Sequence, residues 1–442
     1  MGGVHWGASV YGFKCLQILD IRDRAINGLW SLWQRNRSGC TPACALVRYL
    51  FGPMRETLGF IREDMHHLMT RRRPDYAPSG RFAVGNKMVD SWPALSDRLI
   101  KAKENSADAF VQCFEKQSFA FHEPDSLLPT RDHSTLFIGS TISTFKYLLS
   151  DRHKTRKPLR YYTRQTCLRT QNNRRFGTKY HPCWSSLFSS VGALSGWEDR
   201  ETIIRATMDF AEALACIGNI DVRIHISSTD VDLATLLHGY ASRIPLIFDS
   251  KPLPYYRHKF GIEGVGGRNC NFAVSLDGQH YSDIGNLIVI EDLSGPLAVE
   301  SAFGLETIAS RMYGLDSSVY ALQAARDIED LCSESLLLVD ALVASVAIIS
   351  VGIRPIADNR GRVLRRYLQG ISPLRKELAM SIEDVVAIAG RFEANFNHSN
   401  HIHTFIQRYL SAYEDLLEQG RAPDAVNASL SRRFADTASE RI

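Results

Sequence analysis

No two cysteines in this chain stand at a Cys-x-x-Cys spacing. Nine are scattered through 442 residues, which excludes a disulfide-framed scaffold and a zinc ribbon and leads us to expect a reducing cytoplasm. Charge imbalance is also small. The formal net charge of +4 neither demands nor excludes nucleic acid, because a local basic face binds phosphate whatever the total. No long apolar run occurs: Leu336 to Val351 is interrupted by Asp340 and falls short of the roughly 18–20 residues that span a bilayer, so a buried helix and no membrane partner are expected. Met1 to Ser9 lacks a basic stretch feeding an apolar one, so no signal peptide is expected. Internal repeats are missing. The glycine-rich Gly261 to Gly267 follows no predicted strand and opens no predicted helix, which argues against Walker and Rossmann phosphate loops. His398, His401 and His403 have no carboxylate or cysteine spaced to complete a site, so no metal centre is expected.

What is present is ordinary for a globular protein: 45% hydrophobic and 23% charged residues, with length enough for two to four domains. Helical spacing covers Cys15 to Trp33, Leu46 to Leu50 and Met54 to Met69, and Asp75 to Gly80 reads as a linker. From Ser134 the pattern is mixed. Strands are predicted at 136–138, 163–170, 221–228, 245–248, 272–276 and 287–291, with helices at 200–217 and 230–242. Beyond Glu306 only helices are predicted, at 306–313, 320–332, 335–350, 361–369, 381–395 and 402–419, before a polar tail. Strands interspersed with helices without a βαβ rhythm predict an α+β fold with an antiparallel sheet, followed by an all-helical domain.

The most informative stretch is Asn359-Arg360-Gly361-Arg362-Val363-Leu364-Arg365-Arg366, a turn in which glycine releases the backbone to open a basic helix. By itself it would be a solvated face. It resembles, however, the Asn-Arg-Gly-Tyr-Val-Leu-Arg-Arg segment of alanyl-tRNA synthetases, and upstream Cys167-Leu168-Arg169 resembles their Cys-Val-Arg, which carries the motif 2 arginine of class II synthetases. Collinear matches run from about residue 105 to 420: Ser106 to Phe110, where the family opens with a short helix; Leu127-Leu128-Pro129; Thr135-Leu136-Phe137 and Phe145-Lys146 in the motif 1 region; Asp283 to Leu287; and Val299 to Glu306. The resemblance implies a class II synthetase-like antiparallel sheet domain over 105–315 and a helical tRNA-recognition domain over 316–442. Residues 1–104 would be a helical extension without counterpart.

It also implies a site. Arg169 would neutralise the ATP α-phosphate and the substrate carboxylate from a central strand. His181, Trp184, Gly304 and Glu306 would contact ATP, with Trp184 stacking on adenine. Asn286 and Glu300 would hold the amino acid, Glu300 standing where the family has an ammonium-binding aspartate. Arg360, Arg362, Arg365 and Arg366 would bind RNA, the last three sharing a face. ATP, Mg2+, an amino acid, and tRNA or another acceptor are the implied ligands. Several positions depart from the pattern. The return strand of motif 2, Tyr180 to Ser185, contains Pro182 and has Ser185 in place of a carboxylate. Gly285 replaces a tryptophan, which would enlarge the pocket, and Ala357 stands where the family often has asparagine. Thr307 replaces the motif 3 arginine, leaving Arg311 or Arg268 as substitutes. The family's zinc-bearing editing domain would follow residue 442, so no proofreading is expected. Three functions remain open: the first is a shortened synthetase-like ligase that adenylates an amino acid, and the second a descendant that binds tRNA or an aminoacyl-tRNA without activating an amino acid. A scaffold with no nucleotide role is the third.

Overall fold

The computed structural model describes residues 91–435, apart from 131, 133, 150–158, 329–330 and 395–400, together with a hairpin of strands β1 (Phe82–Val84) and β2 (Lys87–Val89). The helices expected between Cys15 and Met69, the linker at 75–80, and His398 lie outside the described residues. All described residues belong to one compact unit, Pro74–Ile442.

Its centre is a nine-stranded sheet. The strands are β3 (Ala120–Phe121), β4 (Arg160–Leu168), β5 (Leu187–Gly196), β6 (Asp221–Ser227), β7 (Leu246–Asp249), β8 (Arg257–Lys259), β9 (Gly266–Ser275), β10 (Ser282–Asp292) and β11 (Gly295–Gly304). They lie in the order β3-β4-β5-β11-β10-β9-β6-β7, with β8 beside β9. Only the outer pairs β3/β4 and β6/β7 are parallel. The fold is thus α+β with a mainly antiparallel sheet, as the sequence predicts. Two of its central strands, β5 and β11, were not predicted. Their sequences, LFSSVGALSG and GPLAVESAFG, are rich in Gly, Ser and Ala, which have little intrinsic strand preference, and each is held by a partner on both sides.

Alternation separates two faces. Val191, Ala193, Val299, Phe272 and Phe303 turn to a helical layer and are buried. That layer comprises α1 (Trp92–Lys116), then, after α2 (Ile142–Leu149) on the other side, α3 (Arg200–Gly218); α4 (Val231–Leu237) and α5 (Leu305–Met312) follow. Phe110 of α1 meets Phe210 of α3 edge-on at 5.1 Å, and Phe210 meets Phe303 of β11 at 5.0 Å. The boundary expected at 104/105 falls inside α1, so the short helix expected at Ser106 is one part of a 25-residue element.

The helical region comprises α6 (Ser333–Ser350), α7 (Asn359–Glu377), α8 (Ile382–Glu393), α9 (Ile402–Glu418) and α10 (Pro423–Arg433). The helix expected at 320–332 is instead a pair of 3-10 turns, Ser318–Ala321 and Gln323–Asp327. They are pinned by Trp92 Nε1, which donates to the Ala325 carbonyl at 2.9 Å. The polar tail contains α10, whose start is fixed by Pro423 at its first turn. Helix α6 is 18 residues long and apolar enough to cross a membrane, yet it is 83% buried inside the protein.

Asp340 explains the charge in that apolar helix. It is fully buried and accepts from the Ser186 N–H, from Ser186 Oγ at 2.6 Å and from Asn172 Nδ2 at 2.9 Å. Tyr367 of α7 donates to Ser186 Oγ at 2.9 Å. The network ties α6 and α7 to the start of β5. Asp340→Ala leaves those donors buried without an acceptor, at an expected total cost of about 3 kcal/mol. Burial pushes its carboxyl up to about 6, so the group contributes most below the unfolded carboxylate range and loses that contribution as pH rises through about 6. Urea unfolding should therefore show a larger loss for the variant at pH 5 than at pH 8.

Candidate active site

The sheet face opposite the helical layer is open, and a cavity of about 600 Å³ lies on it. Adjacent positions of the register build its floor: Glu300 faces Ile288, and Ala302 faces Asn286; Asn286 in turn faces Asn271, and Ile288 faces Asn269. Arg169, Trp184, Asn286, Glu300 and Gly304 all line this one cavity.

Arg169 sits one residue past β4 rather than within it, and β4 is the second strand from the sheet edge, not a central one. Its N–H still donates to the Ser186 carbonyl at 2.8 Å, so the ladder continues to this residue. Nε donates to the Gly139 carbonyl at 2.9 Å, and the guanidinium lies 5.0 Å from the Phe188 ring centroid. The group opens into the cavity yet is walled by protein, which lowers its pKa; an arginine remains a cation throughout the working range. Its preceding strand is held by buried Gln165, whose Oε1 accepts from the Asp125 N–H and from Thr144 Oγ1.

Glu300 is fully buried, and its Oε1 accepts from Thr141 Oγ1 at 3.0 Å. Thr141 crosses directly over Gly192, where an added Cβ would come within 2.3 Å of the threonine oxygen. Glycine in β5 is what allows that close approach. Burial raises the Glu300 carboxyl to about 7, against the opposing hydrogen bond from Thr141.

Other expected residues stand elsewhere. His181 hydrogen-bonds to Asp316 at 3.0 Å and to Ser333 at 3.2 Å, outside the cavity lining. Glu306 is buried behind the floor, accepting from the Ser189 N–H at 2.7 Å with Lys103 at 3.6 Å. The strand expected at Tyr180 to Ser185 is irregular chain, since Pro182 leaves no N–H for a ladder, and the strand that pairs back onto β4 is β5. Gly285 lines the cavity, but a side chain there would not point freely into it. It pairs with Phe303, and an added Cβ would meet that ring at 2.1 Å, on the helical side of the sheet. The glycine-rich loop does follow a strand, β8, and leads into β9; it lines a separate recess.

Thr307 lines the cavity, but neither expected substitute does. Arg268 is engaged by Asp232 and Glu291. Arg311 lies behind Trp184, 5.5 Å from its ring centroid. Lys259, which sequence reasoning passed over, lines the cavity and is exposed; nothing in its local sequence marks it.

The arginine segment begins α7. Asp358 caps it by accepting from the Gly361 N–H. Gly361 is not there for backbone freedom: an added Cβ would lie 2.5 Å from the Ile356 carbonyl and 2.6 Å from that of Arg354. Arg362 and Arg366 are exposed, whereas Arg365 turns inward to the Ile356 carbonyl and to Ser431 Oγ at 3.0 Å. The three arginines therefore do not share one exposed face. Arg360 donates to the Leu136 carbonyl at 2.8 Å.

The sequence resembles alanyl-tRNA synthetase at a divergent level. The chain is 23% identical over 306 residues to the alanine–tRNA ligase of Shewanella amazonensis, covering 59% of this chain and 35% of that ligase, so it spans about a third of its length. No family model matches. Solved structures with some likeness include asparaginyl-tRNA synthetase of Pyrococcus horikoshii complexed with asparaginyl-adenylate, at 9% identity and TM-score 0.31 over 52% of this chain and 68% of that one. Entamoeba histolytica asparaginyl-tRNA synthetase is similar at 8% identity and TM-score 0.33, over 51% and 67%.

Proposed function

We propose that the cavity joins an amino acid to ATP as an aminoacyl-adenylate and passes the acyl group to tRNA or another acceptor. The observation that carries this reading is the presence of Arg169 and Glu300 in one cavity, one cation just past β4 and one buried carboxyl on β11. A substrate ammonium would pair with Glu300. The carboxylate oxygen of the substrate amino acid would attack the ATP α-phosphorus, the bond from that phosphorus to the α,β-bridging oxygen would break, and pyrophosphate would leave. Arg169 would neutralise the charge gathering on the phosphorus, with Lys259 facing the outer phosphates and Trp184 offering its half-exposed indole to adenine. The carboxylates lining the cavity, Asp283 and Glu300, are committed to Asn271 and Thr141, and Glu306 points away. Among the described residues the cavity composes no protein-held magnesium site, so Mg2+ would enter as the counter-ion of ATP. Amino-acid-dependent exchange of labelled pyrophosphate into ATP, screened over many amino acids, tests the proposal; exchange with none of them removes it.

A second reading, tRNA binding without activation, draws on Thr307 and Ser185, which leave the nucleotide side short of a cation and a carboxylate. Exposed Arg362 and Arg366 serve either reading. Arg362→Ala with Arg366→Ala should weaken tRNA binding in a gel-shift titration and flatten its salt slope by about one to two units. Arg365→Ala should instead lower the melting temperature by removing hydrogen bonds to the Ile356 turn, at about 1–2 kcal/mol. Undetectable tRNA binding by the wild type at low salt would exclude the RNA role.

A further inference from the structure

The wall beyond Glu300 is built of amides. Asn269 and Asn271 of β9 and Asn286 of β10 line the cavity with Asp283. Asn269 is 1% exposed and gives its Nδ2 to Asn271 Oδ1; its own Oδ1, beside the His258 ring, closes no hydrogen bond of good geometry. Asn271 Nδ2 donates to Asp283 Oδ2 at 3.1 Å. Lys251 stands 3.8 Å from the same carboxylate, so Asp283 already has a cation nearby and presents an acceptor rather than an unmet charge.

Strand spacing places this row in line with Glu300. One strand, β10, lies between Glu300 and Asn269, so two interstrand spacings put their backbones roughly 10 Å apart with Ile288 between them; the neighbouring row of Ala302, Asn286 and Asn271 also lines the cavity, and a substrate whose ammonium meets Glu300 would lay a short side chain along it. A methyl or branched aliphatic group there would displace water from the amides and return no hydrogen bond, leaving those groups unpaired. A hydroxyl or carboxamide would instead donate to Asn269 Oδ1 or Asp283 and accept from an amide N–H.

We propose that the amino acid taken by this cavity carries a neutral polar side chain with a hydrogen-bond donor, a hydroxyl or carboxamide, read by Asn269, Asn271 and Asp283. This rests on the reading of Glu300 as the partner of the substrate ammonium. The test is isothermal titration of the full chain, without ATP, against serine, threonine, asparagine, glutamine, alanine and valine. At least one of the first four should bind about 10²-fold or more tightly than alanine and valine, because a site built on hydrogen bonds strongly rejects the analogue that lacks the donor. Asn271→Ala should shrink that ratio to about tenfold or less, with a melting curve run alongside to establish that the variant is folded. Alanine or valine binding as tightly as the polar set overturns the proposal and leaves the activation reading intact. Binding of none of the six overturns both. Tight binding of a polar amino acid without pyrophosphate exchange supports the side-chain assignment while removing adenylation.

Discussion

Glu300→Gln should abolish amino-acid binding while making the protein more stable at alkaline pH. The two effects have one cause. Burial raises the carboxyl from an ordinary value of 4.5 to about 7, so the folded protein resists the ionisation that the unfolded chain undergoes freely. A raised carboxyl contributes its full relative stability below about 4.5 and loses it as pH rises through about 7. The integrated penalty is about 3 kcal/mol above that range. Glutamine has no charge to bury, so the stability difference between variant and wild type should grow by about 3 kcal/mol from pH 4.5 to pH 8 in urea unfolding. Binding should fall by about 10²-fold or more, since removing one charge of a buried pair costs about 2–5 kcal/mol. In the wild type an arriving ammonium draws Glu300 into its ionised form, so affinity should rise with pH through 7, with proton release on binding. Undiminished affinity in Glu300→Gln would exclude the carboxylate as the ammonium partner.

Arg169→Ala should lower the rate of amino-acid-dependent pyrophosphate exchange by about 10²–10³-fold, the usual cost of removing one preorganised charge-stabilising donor. Stability should change little, because the hydrogen bond to Gly139 and the stacking on Phe188 orient the group at the rim of the cavity. Arg169→Lys should not restore the rate: a lysine is a point charge that cannot both hold the Gly139 carbonyl and present a planar face to Phe188. Exchange activity persisting in Arg169→Ala would move the charge-neutralising role to Lys259, and the double variant would then show the loss.

The resemblance itself was legible because Cys167-Leu168-Arg169 and the Asn359 to Arg366 segment are short, contiguous and specific. The later helices were legible for a related reason. Helix α8 announces itself locally, through Ser381 at its cap and Asp384 closing a capping box, and α6 through an apolar stretch whose one charge is Asp340. Those signals need no distant partner.

Three things required the tertiary structure. Strands β5 and β11 exist because their neighbours supply ladders on both sides, which outweighs the weak preference of their Gly, Ser and Ala residues. Side-chain direction was the second. Arg365 faces inward and Gly285 lies against Phe303 because packing against Ile356 and the sheet register decide orientation, and neither is written in spacing alone. The third was the addition of Asn269 and Asn271 to the expected group of Arg169, Asn286 and Glu300. The sequence by itself determined an α+β chain with synthetase-like motifs in order. Only the fold set Asn269 and Asn271 beside Asn286 and Glu300 on one face, because strands distant in sequence pair through backbone hydrogen bonds that carry no side-chain signature.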